Sequence, residues 1–363
     1  MKLLHFADLH LDAPFAWAGT EIARKRRRNR RETLTRILRL AEEENVDAIL
    51  CAGDLFELDR CSPDTVEFLR ASFGRLGCPV YLAPGNHDFL SPRSPYLLAR
   101  WPANVHVFTG DRLEAVTLAD GLTVWGAAHR APANTGDFFA GFRPDRSGIH
   151  LVVAHASERS VLPWQESGKE PHAPFDAAEI AASGVQHAFL GHYHLPRDAE
   201  RHTYPGNPDP LDFGETGERG VVIASVAGNG EVSRRRVVVA VSEVHDITVN
   251  LDAPAHADEV AAAVSAALAG LNGSVRVTLT GEVAPSLELD LRDLERLGSG
   301  LDGLLLRVST LGTAYDLEAL AAEETVRGQF VSAAKRIADP ERRRRVTLTG
   351  LRALAGRRDL EVA

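Results

Sequence analysis

Apolar and polar residues follow two different patterns along the first 240 or so residues. Short apolar runs of strand length are separated by stretches whose apolar residues recur at helical spacing. The strand-like runs are KLLHFA, DAILCAG and PVYLAPG, and the helical stretches between them are RETLTRILRLAEEEN and PDTVEFLRASFGRLG. Strands that alternate with amphipathic helices predict βαβ units and a largely parallel sheet.

The runs that follow have few helices between them. They are HVFTG, EAVTL, LTVWGA, HLVVAHA, HAFLGHY, GVVIASV and SRRRVVVAV. Added to the βαβ units, they predict an α/β fold in which a β-sandwich is flanked by helices.

The composition and the pattern of predicted elements change near His245. An Ala-rich helical stretch there is flanked by strand-like runs, and a further helix is predicted at LEALAAEETVRGQFVSAAKRIA. The chain then continues into a basic tail in which VTLTG is strand-like. We therefore expect two domains: residues 1–245, and a small α+β capping domain over residues 246–363 that acts on substrate or a partner.

Composition and charge narrow the class of protein. The chain is 44% hydrophobic and 25% charged, as is typical of soluble globular proteins, and no apolar run approaches the roughly 18 residues of a membrane span. We expect a cytoplasmic protein without membrane contact. Cys51, Cys61 and Cys78 lie singly, which argues against a disulfide framework or a zinc ribbon. The net charge of −9 argues against a protein that coats nucleic acid non-specifically.

Local basic runs are nevertheless present at residues 24–31, 234–236 and 342–345. Taken alone, each run is typical of a solvated helix face or turn. A contact with nucleic acid would have to use such a patch.

Candidate chemistry lies in five clusters, each of which follows or ends a predicted strand. The clusters are Asp8-Leu9-His10, Gly53-Asp54, Gly85-Asn86-His87-Asp88, His155 and Gly191-His192-Tyr193-His194. Functional groups gather outside the carboxyl ends of strands in open α/β sheets, so these clusters can converge.

The clusters supply two Asp, one Asn and four His as candidate ligands. This mixture suits manganese, iron or zinc, and two ions about 3.5–4 Å apart could clamp a phosphoryl group and activate water. Taken alone, His155 is typical of a structural histidine and Asn86 of a turn residue. Only the whole set indicates a binuclear site.

The motifs DLH, GDLFE, GNHD, AH and GHYH, in this order, resemble the calcineurin-like metallophosphoesterases. The resemblance implies two divalent ions, with Mn²⁺ expected and Fe²⁺ or Zn²⁺ as alternatives. It implies that Asp8, His10, Asp54 and His194 hold one ion. It implies further that Asp54 bridges to a second ion held by Asn86, His155 and His192. His87 would protonate the leaving oxygen or steady the phosphoryl charge, and Asp88 would orient His87.

Three segments narrow the resemblance: DLHLDAPF, VDAILCAGDLFE and YPGNPDPLDFGETGERGVVIASV. They resemble the DNA-repair exonuclease branch, the SbcD- and YhaO-like proteins, over roughly the first 240 residues. This branch implies a Mn-dependent DNA nuclease that works with a separately encoded SMC-like ATPase. Whether the chain forms a homodimer is left undecided by the sequence. The resemblance also suggests a function for the basic run at residues 24–31, because its cations could bind DNA phosphates. The candidates are Arg24, Lys25, Arg26, Arg27, Arg28, Arg30 and Arg31.

Two positions depart from the branch pattern. Glu57 stands where break-repair relatives often carry a His, which argues against a direct catalytic role for this residue. Asn207 stands where the serine of a YPGS motif is expected. The role of either residue is open.

Two other functions compete with the nuclease. One is a phosphodiesterase or phosphatase for small nucleotides or phosphoproteins, because the chemistry at the metals is shared. The other is an interaction subunit that regulates an ATPase. A complete ligand set together with His87 argues against the interaction subunit.

Overall fold

The computed structural model describes residues 1–160, 171–287 and 289–356. The chain forms two compact units, Met1–Glu243 and Val244–Ala363. The predicted α/β class is confirmed, with two large mixed sheets in the first unit and one small parallel sheet in the second.

The first unit is built on two six-stranded sheets, ordered β12-β11-β1-β2-β3-β4 and β5-β6-β7-β8-β10-β9. Strands β1 to β4 are parallel, as are β6 to β8. In chain order the strands are β1 (Lys2–Phe6), β2 (Ala48–Cys51), β3 (Val80–Leu82), β4 (Val105–Val107), β5 (Glu114–Ala119), β6 (Leu122–Gly126), β7 (Ile149–His155), β8 (His187–Gly191), β9 (Arg197–Asp198), β10 (His202–Tyr204), β11 (Gly220–Val226) and β12 (Val232–Val238).

Alternation along the strands divides the core of this unit into layers. Leu3 belongs to a buried cluster that includes Leu151 of the second sheet, whereas its neighbour Leu4 packs in a cluster with Leu34 of α1. Successive side chains of a strand point to opposite faces, so one strand serves both layers. The predicted sandwich flanked by helices is confirmed. Its helices are α1 (Thr20–Glu43), α2 (Pro63–Gly74), α3 (Pro95–Leu98) and α4 (Ala177–Ser183).

The second unit has a three-stranded parallel sheet, ordered β13-β14-β15. Val260, Val264 and Leu268 recur at helical spacing on α5 and are buried in the core of this unit. Its elements are β13 (Val244–Asp252), α5 (Ala257–Leu268), β14 (Ser274–Val283), α6 (Leu291–Glu295), β15 (Gly303–Thr313), α7 (Leu317–Ala321), α8 (Val326–Ala334) and α9 (Pro340–Leu354). In neither unit does a described helix have the length and apolar character needed to cross a bilayer.

Two predictions for the second unit need correction. The single helix expected from residue 317 to 338 is two helices, because the Thr325 side chain caps α8 by accepting from the backbone N–H of Gly328 at 3.1 Å. The strand expected at VTLTG is wrong, since these residues lie inside α9. The side chain of Asp339 caps that helix, and Leu348 and Leu351 lie on its buried face.

Candidate metal centre

The five sequence clusters converge at one edge of the first unit. Strand β1 leads to Asp8, β2 leads to Asp54, and β7 ends at His155. The ligand atoms of Asp8, His10 and His194 all lie within 4.8 Å of one another, and so do those of Asp8, Asp54 and His155. The ligand atoms of His10, Asp54 and His87 form a third such group, and the three groups share members, so they form one continuous site.

Two glycines of the motifs allow the loops to approach this closely. A Cβ atom at Gly85 would lie 2.3 Å from Oδ1 of Asp54, and one at Gly191 would lie 2.0 Å from the carbonyl oxygen of Ala52. No side chain fits at either position. The motifs GNHD and GHYH therefore begin with glycine for a steric reason.

The backbone at the site is held in an uncommon conformation. Asp8, His10 and Asp54 have φ angles of 55°, 47° and 52°, in the left-handed region that residues other than glycine rarely adopt. Backbone hydrogen bonds impose this shape, because Asp8 donates to the carbonyl of Gly53 at 3.0 Å and His10 donates to that of Asp54 at 2.9 Å. Strain of this kind clusters at functional sites.

The two oxygens of Asp54 have different surroundings. Oδ1 accepts a hydrogen bond from the backbone N–H of His87 at 2.8 Å. Oδ2 lies 3.7 Å from Nε2 of His10 and 3.3 Å from Nε2 of His155. A single carboxylate oxygen therefore faces both halves of the site.

Three candidate ligand histidines are held by the protein through Nδ1. The pairs are His10 with Glu57 at 2.7 Å, His155 with the backbone carbonyl of Ala52 at 2.9 Å, and His194 with Glu215 at 2.5 Å. Metal-ligating histidines usually donate one ring N–H to a carboxylate or carbonyl in this way, which fixes the tautomer. The lone pair of each Nε2 is then directed into the site.

The residues present fit divalent cations. Nε2 of His155 lies 2.9 Å from Oδ1 of Asn86 and 3.3 Å from the carboxylate of Asp54, so acceptor atoms face one another. Nε2 of His10 is buried and has no hydrogen-bond partner in the described part of the chain. Burial lowers the pKa of His155, but the charge of Asp54 outweighs it and raises that pKa. The site thus favours positive charge, and its nitrogen and oxygen donors suit manganese, iron or zinc.

His87 stands at the edge of the site with its side chain 43% exposed. Its Nδ1 lies 2.9 Å from Oε2 of Glu57. Burial alone would lower the pKa of His87, but the hydrogen bond to Glu57 and the charge of Asp54 raise it to about 9. The ring is therefore cationic at neutral pH before any cation binds nearby.

The predicted role of Asp88 as the carboxylate that orients His87 is wrong. Asp88 is fully buried, and its oxygens hold the turns around the site instead. They accept from the backbone N–H groups of Asp54 at 3.1 Å, Leu55 at 2.7 Å and Gly85 at 2.6 Å, and from the hydroxyl of Tyr96 at 2.7 Å. Backbone donors of the preceding loops, at Asp54, Leu55 and Gly85, occupy this carboxylate instead.

Sequence reasoning also missed the contribution of Glu215. Besides His194, its carboxylate accepts hydrogen bonds from the backbone N–H of Leu211 at 2.5 Å and from the side chain of Asn207. Burial would raise the pKa of Glu215, but His194 holds it far below its usual range. Asn207 of the YPGN motif therefore fixes the carboxylate that holds a ligand histidine. The one sequence feature that pointed to this carboxylate was the acidic residue that follows the YPGN motif in the branch pattern.

The first basic run divides between the inside and the outside of the protein. Arg26 and Arg30 are fully buried, so the prediction that they contact DNA phosphates is wrong. The guanidinium of Arg26 donates to the carbonyl of Pro210, and Arg31 pairs with Asp64 at 2.6 Å. The remaining members of the run are Arg24, Lys25 and Arg28, which are exposed, and Arg27, which is half-buried.

Comparisons with known proteins identify the family of this chain and several relatives. A family profile described as calcineurin-like phosphoesterase matches residues 1–196. The uncharacterized metallophosphoesterase YhaO of Bacillus subtilis is 30% identical over 64% of this chain and 59% of its own length. The DNA double-strand break repair protein Mre11 of Aeropyrum pernix is 29% identical over 59% of the chain and 55% of its own.

Another relative is named for a small-molecule substrate and not for DNA repair. The 3′,5′-cyclic adenosine monophosphate phosphodiesterase CpdA of Haemophilus influenzae is 27% identical over 56% of this chain and 73% of its own length. The chain spans less than two thirds of the length of YhaO and of Mre11.

Proposed function

The chain belongs to the calcineurin-like phosphoesterase family, and we propose that it is a two-metal phosphodiesterase that cleaves DNA with Mn²⁺ as its metal. In this proposal it acts beside an SMC-like ATPase encoded as a separate chain. One observation carries the two-metal assignment: Oδ2 of Asp54 faces Nε2 of His10 on one side and Nε2 of His155 on the other. A carboxylate oxygen in that position is suited to bridge two cations.

The ligands divide around this bridge. The first cation would be held by Asp8, His10, Asp54 and His194, and the second by Asp54, Asn86, His155 and His192. The division is supported by the carboxylate of Asp54, which lies within 4.8 Å of a ring nitrogen of His10 in one group and of His155 in another. The short distance from His155 to Asn86 supports the second ion. The backbone N–H of His192 donates to both oxygens of Asp8 at 3.1 Å, which joins the two halves.

When bound, two divalent cations at such a site polarise the phosphoryl oxygens and lower the pKa of a water molecule that attacks phosphorus. The protein fixes the geometry, because Glu57, Glu215 and the carbonyl of Ala52 hold the ligand histidines at Nδ1. His87 is exposed at the edge with Nδ1 bound to Glu57, so Nε2 would be the atom that donates a proton to the leaving oxygen.

DNA is the favoured substrate for two reasons. The exposed cations Arg24, Lys25 and Arg28 lie on α1, which begins ten residues after His10, and such cations can hold phosphates without reading sequence. The similarity to a DNA double-strand break repair protein points the same way. The unit Val244–Ala363 would then position a large substrate or dock the partner.

A second candidate function is a phosphodiesterase for cyclic nucleotides. The similarity to a cyclic adenosine monophosphate phosphodiesterase supports it, because the same metal site can cleave either kind of phosphodiester. This candidate assigns no role to the basic residues of α1.

An assay of Mn²⁺-dependent cleavage separates the two candidates. End-labelled duplex and hairpin DNA would be incubated with the full chain beside cyclic adenosine monophosphate and bis(p-nitrophenyl) phosphate, with Asp54→Asn and chelated metal as controls. The nuclease proposal expects shortened DNA that depends on Mn²⁺ and on Asp54. Hydrolysis of the cyclic nucleotide with intact DNA would transfer the assignment to the second candidate.

A further inference from the structure

Glu57 occupies a position tied by its backbone to two functional loops. Its N–H donates to the carbonyl of Leu11 at 2.9 Å, next to His10 in the chain. The N–H of the following residue, Leu58, donates to the carbonyl of His87 at 3.0 Å. The segment that carries Glu57 therefore holds the loop of a candidate ligand and the loop of the candidate acid together.

The side chain of Glu57 uses its two oxygens for two different histidines. Oε1 binds Nδ1 of His10 at 2.7 Å, and Oε2 binds Nδ1 of His87 at 2.9 Å. The two rings meet edge to face with their centroids 4.6 Å apart. The carboxylate is 20% exposed. The two rings therefore share one carboxylate, each through a different oxygen.

The alternatives for orienting His87 are excluded by the contacts. Asp88 is engaged with backbone donors and Tyr96, and the hydrogen bond that Asp54 accepts from His87 comes from the backbone N–H. Within the described ranges, Glu57 is the one side chain that hydrogen-bonds the ring of His87. The carboxylate of Glu215, by comparison, is hydrogen-bonded to one histidine, His194.

We propose that Glu57 is a positioning residue that fixes His87, the leaving-group acid, at a set distance from His10, a metal ligand. The inference rests on the roles given to His10 and His87 in the proposed function. Its physical basis is that an acid displaced by about 1 Å from the leaving oxygen loses much of its effect. One carboxylate would then serve metal affinity through His10 and proton transfer through His87.

Replacing Glu57 by Gln tests both connections. Glutamine keeps the shape but has one acceptor oxygen, so it can hold Nδ1–H of one ring and not of both. We expect Mn²⁺ affinity to fall by about 10–100-fold, the usual effect of losing a partner of a ligand histidine. Direct Mn²⁺ titration measures this without reference to activity.

Turnover at saturating Mn²⁺ isolates the connection to His87. A p-nitrophenolate leaving group departs without a proton, whereas an alkoxide needs one. We expect Glu57→Gln to lower kcat by about 10-fold or more on alkyl phosphodiesters and by less than about 3-fold on the p-nitrophenyl ester. In a His87→Ala background the same substitution should cause no further loss of kcat. The matched control, Glu67→Gln, removes an exposed carboxylate from α2 and should change nothing.

Three results would overturn the proposal: equal losses on both leaving groups, losses that multiply in the double variant, or unchanged Mn²⁺ affinity. Thermal unfolding without metal is measured first, and Glu57→Asp, which keeps the charge but withdraws it by about 1.5 Å, replaces Glu57→Gln if that variant does not fold. Because the assays use small esters, failure to cleave DNA would defeat the nuclease assignment and leave this inference standing.

Discussion

Nη2 of Arg30 donates a hydrogen bond to the backbone carbonyl of Asp209 at 2.9 Å, across 179 positions of the chain. Nη1 of the same guanidinium donates to the carbonyl of Leu9, which lies between Asp8 and His10. Asp209 lies in the loop between β10 and β11 that also carries Glu215. One buried cation therefore joins the loop of the first ligands to the loop whose carboxylate holds His194.

Replacing Arg30 should destabilise the protein, because its guanidinium donates to two backbone carbonyls. Arg30→Met leaves two buried carbonyls without their donor, and we expect the free energy of unfolding to fall by about 1.5–3 kcal/mol. Arg28→Met, on the exposed face of the same helix, should stay within about 0.5 kcal/mol. Urea denaturation of both variants gives the comparison, and equal stabilities would argue against the structural role of Arg30.

Substitution of the outward cations should change DNA binding. In the variant Arg24→Gln, Lys25→Gln, Arg28→Gln, each lost phosphate contact should reduce the slope of log affinity against log salt by about 0.9. Affinity would be measured on duplex DNA at several salt concentrations, with folding checked by thermal unfolding. A slope equal to that of the wild type would return these residues to a solvated helix face.

His87 should matter for turnover and not for metal content. His87→Ala removes a group that we assign to proton donation, so kcat should fall by about 10²–10⁴-fold while two ions remain bound. Metal analysis of the purified variant beside a kinetic assay makes the distinction. Loss of an ion from the variant would show instead that His87 is a ligand.

Removal of the second unit should separate chemistry from substrate positioning. Every candidate ligand lies in Met1–Glu243, which is a compact unit. We expect a chain ending at Glu243 to keep both ions and to hydrolyse bis(p-nitrophenyl) phosphate near the full-length rate, while it processes duplex DNA poorly. Equal loss on both substrates would mean that the second unit supports the active-site fold.

The sequence predicted the strands that lead to the site motifs, and the convergence of those motifs, because both follow from local pattern. It did not predict the inward turn of Arg26 and Arg30, which lie four residues apart and so share the buried face of α1 with Leu34 and Ile37. A run of like charges hides this periodicity. The strand expected at VTLTG failed because the cap at Asp339 and the packing of Leu351 favour a helix over the preference of β-branched residues.

The partners of Glu57, Asp88 and Glu215 could not be predicted for a different reason. Each carboxylate has several donors within reach, and the choice among them depends on how distant loops pack. The bond between Glu215 and His194 spans 21 positions, and that between Glu57 and His10 spans 47. Motif spacing identifies candidate ligands, but the residues that hold them emerge only from tertiary structure.

The bridging role of Asp54 is the centre of this account, and electron paramagnetic resonance of the Mn²⁺-loaded protein tests it most directly. Two Mn²⁺ ions that share a carboxylate are magnetically coupled, and their spectrum differs from that of isolated ions. We expect a coupled spectrum at two equivalents of Mn²⁺ per chain, and its loss in Asp54→Asn together with weaker binding of both ions. An uncoupled spectrum from the wild type at two equivalents, or an unchanged coupled spectrum from Asp54→Asn, would contradict the assignment.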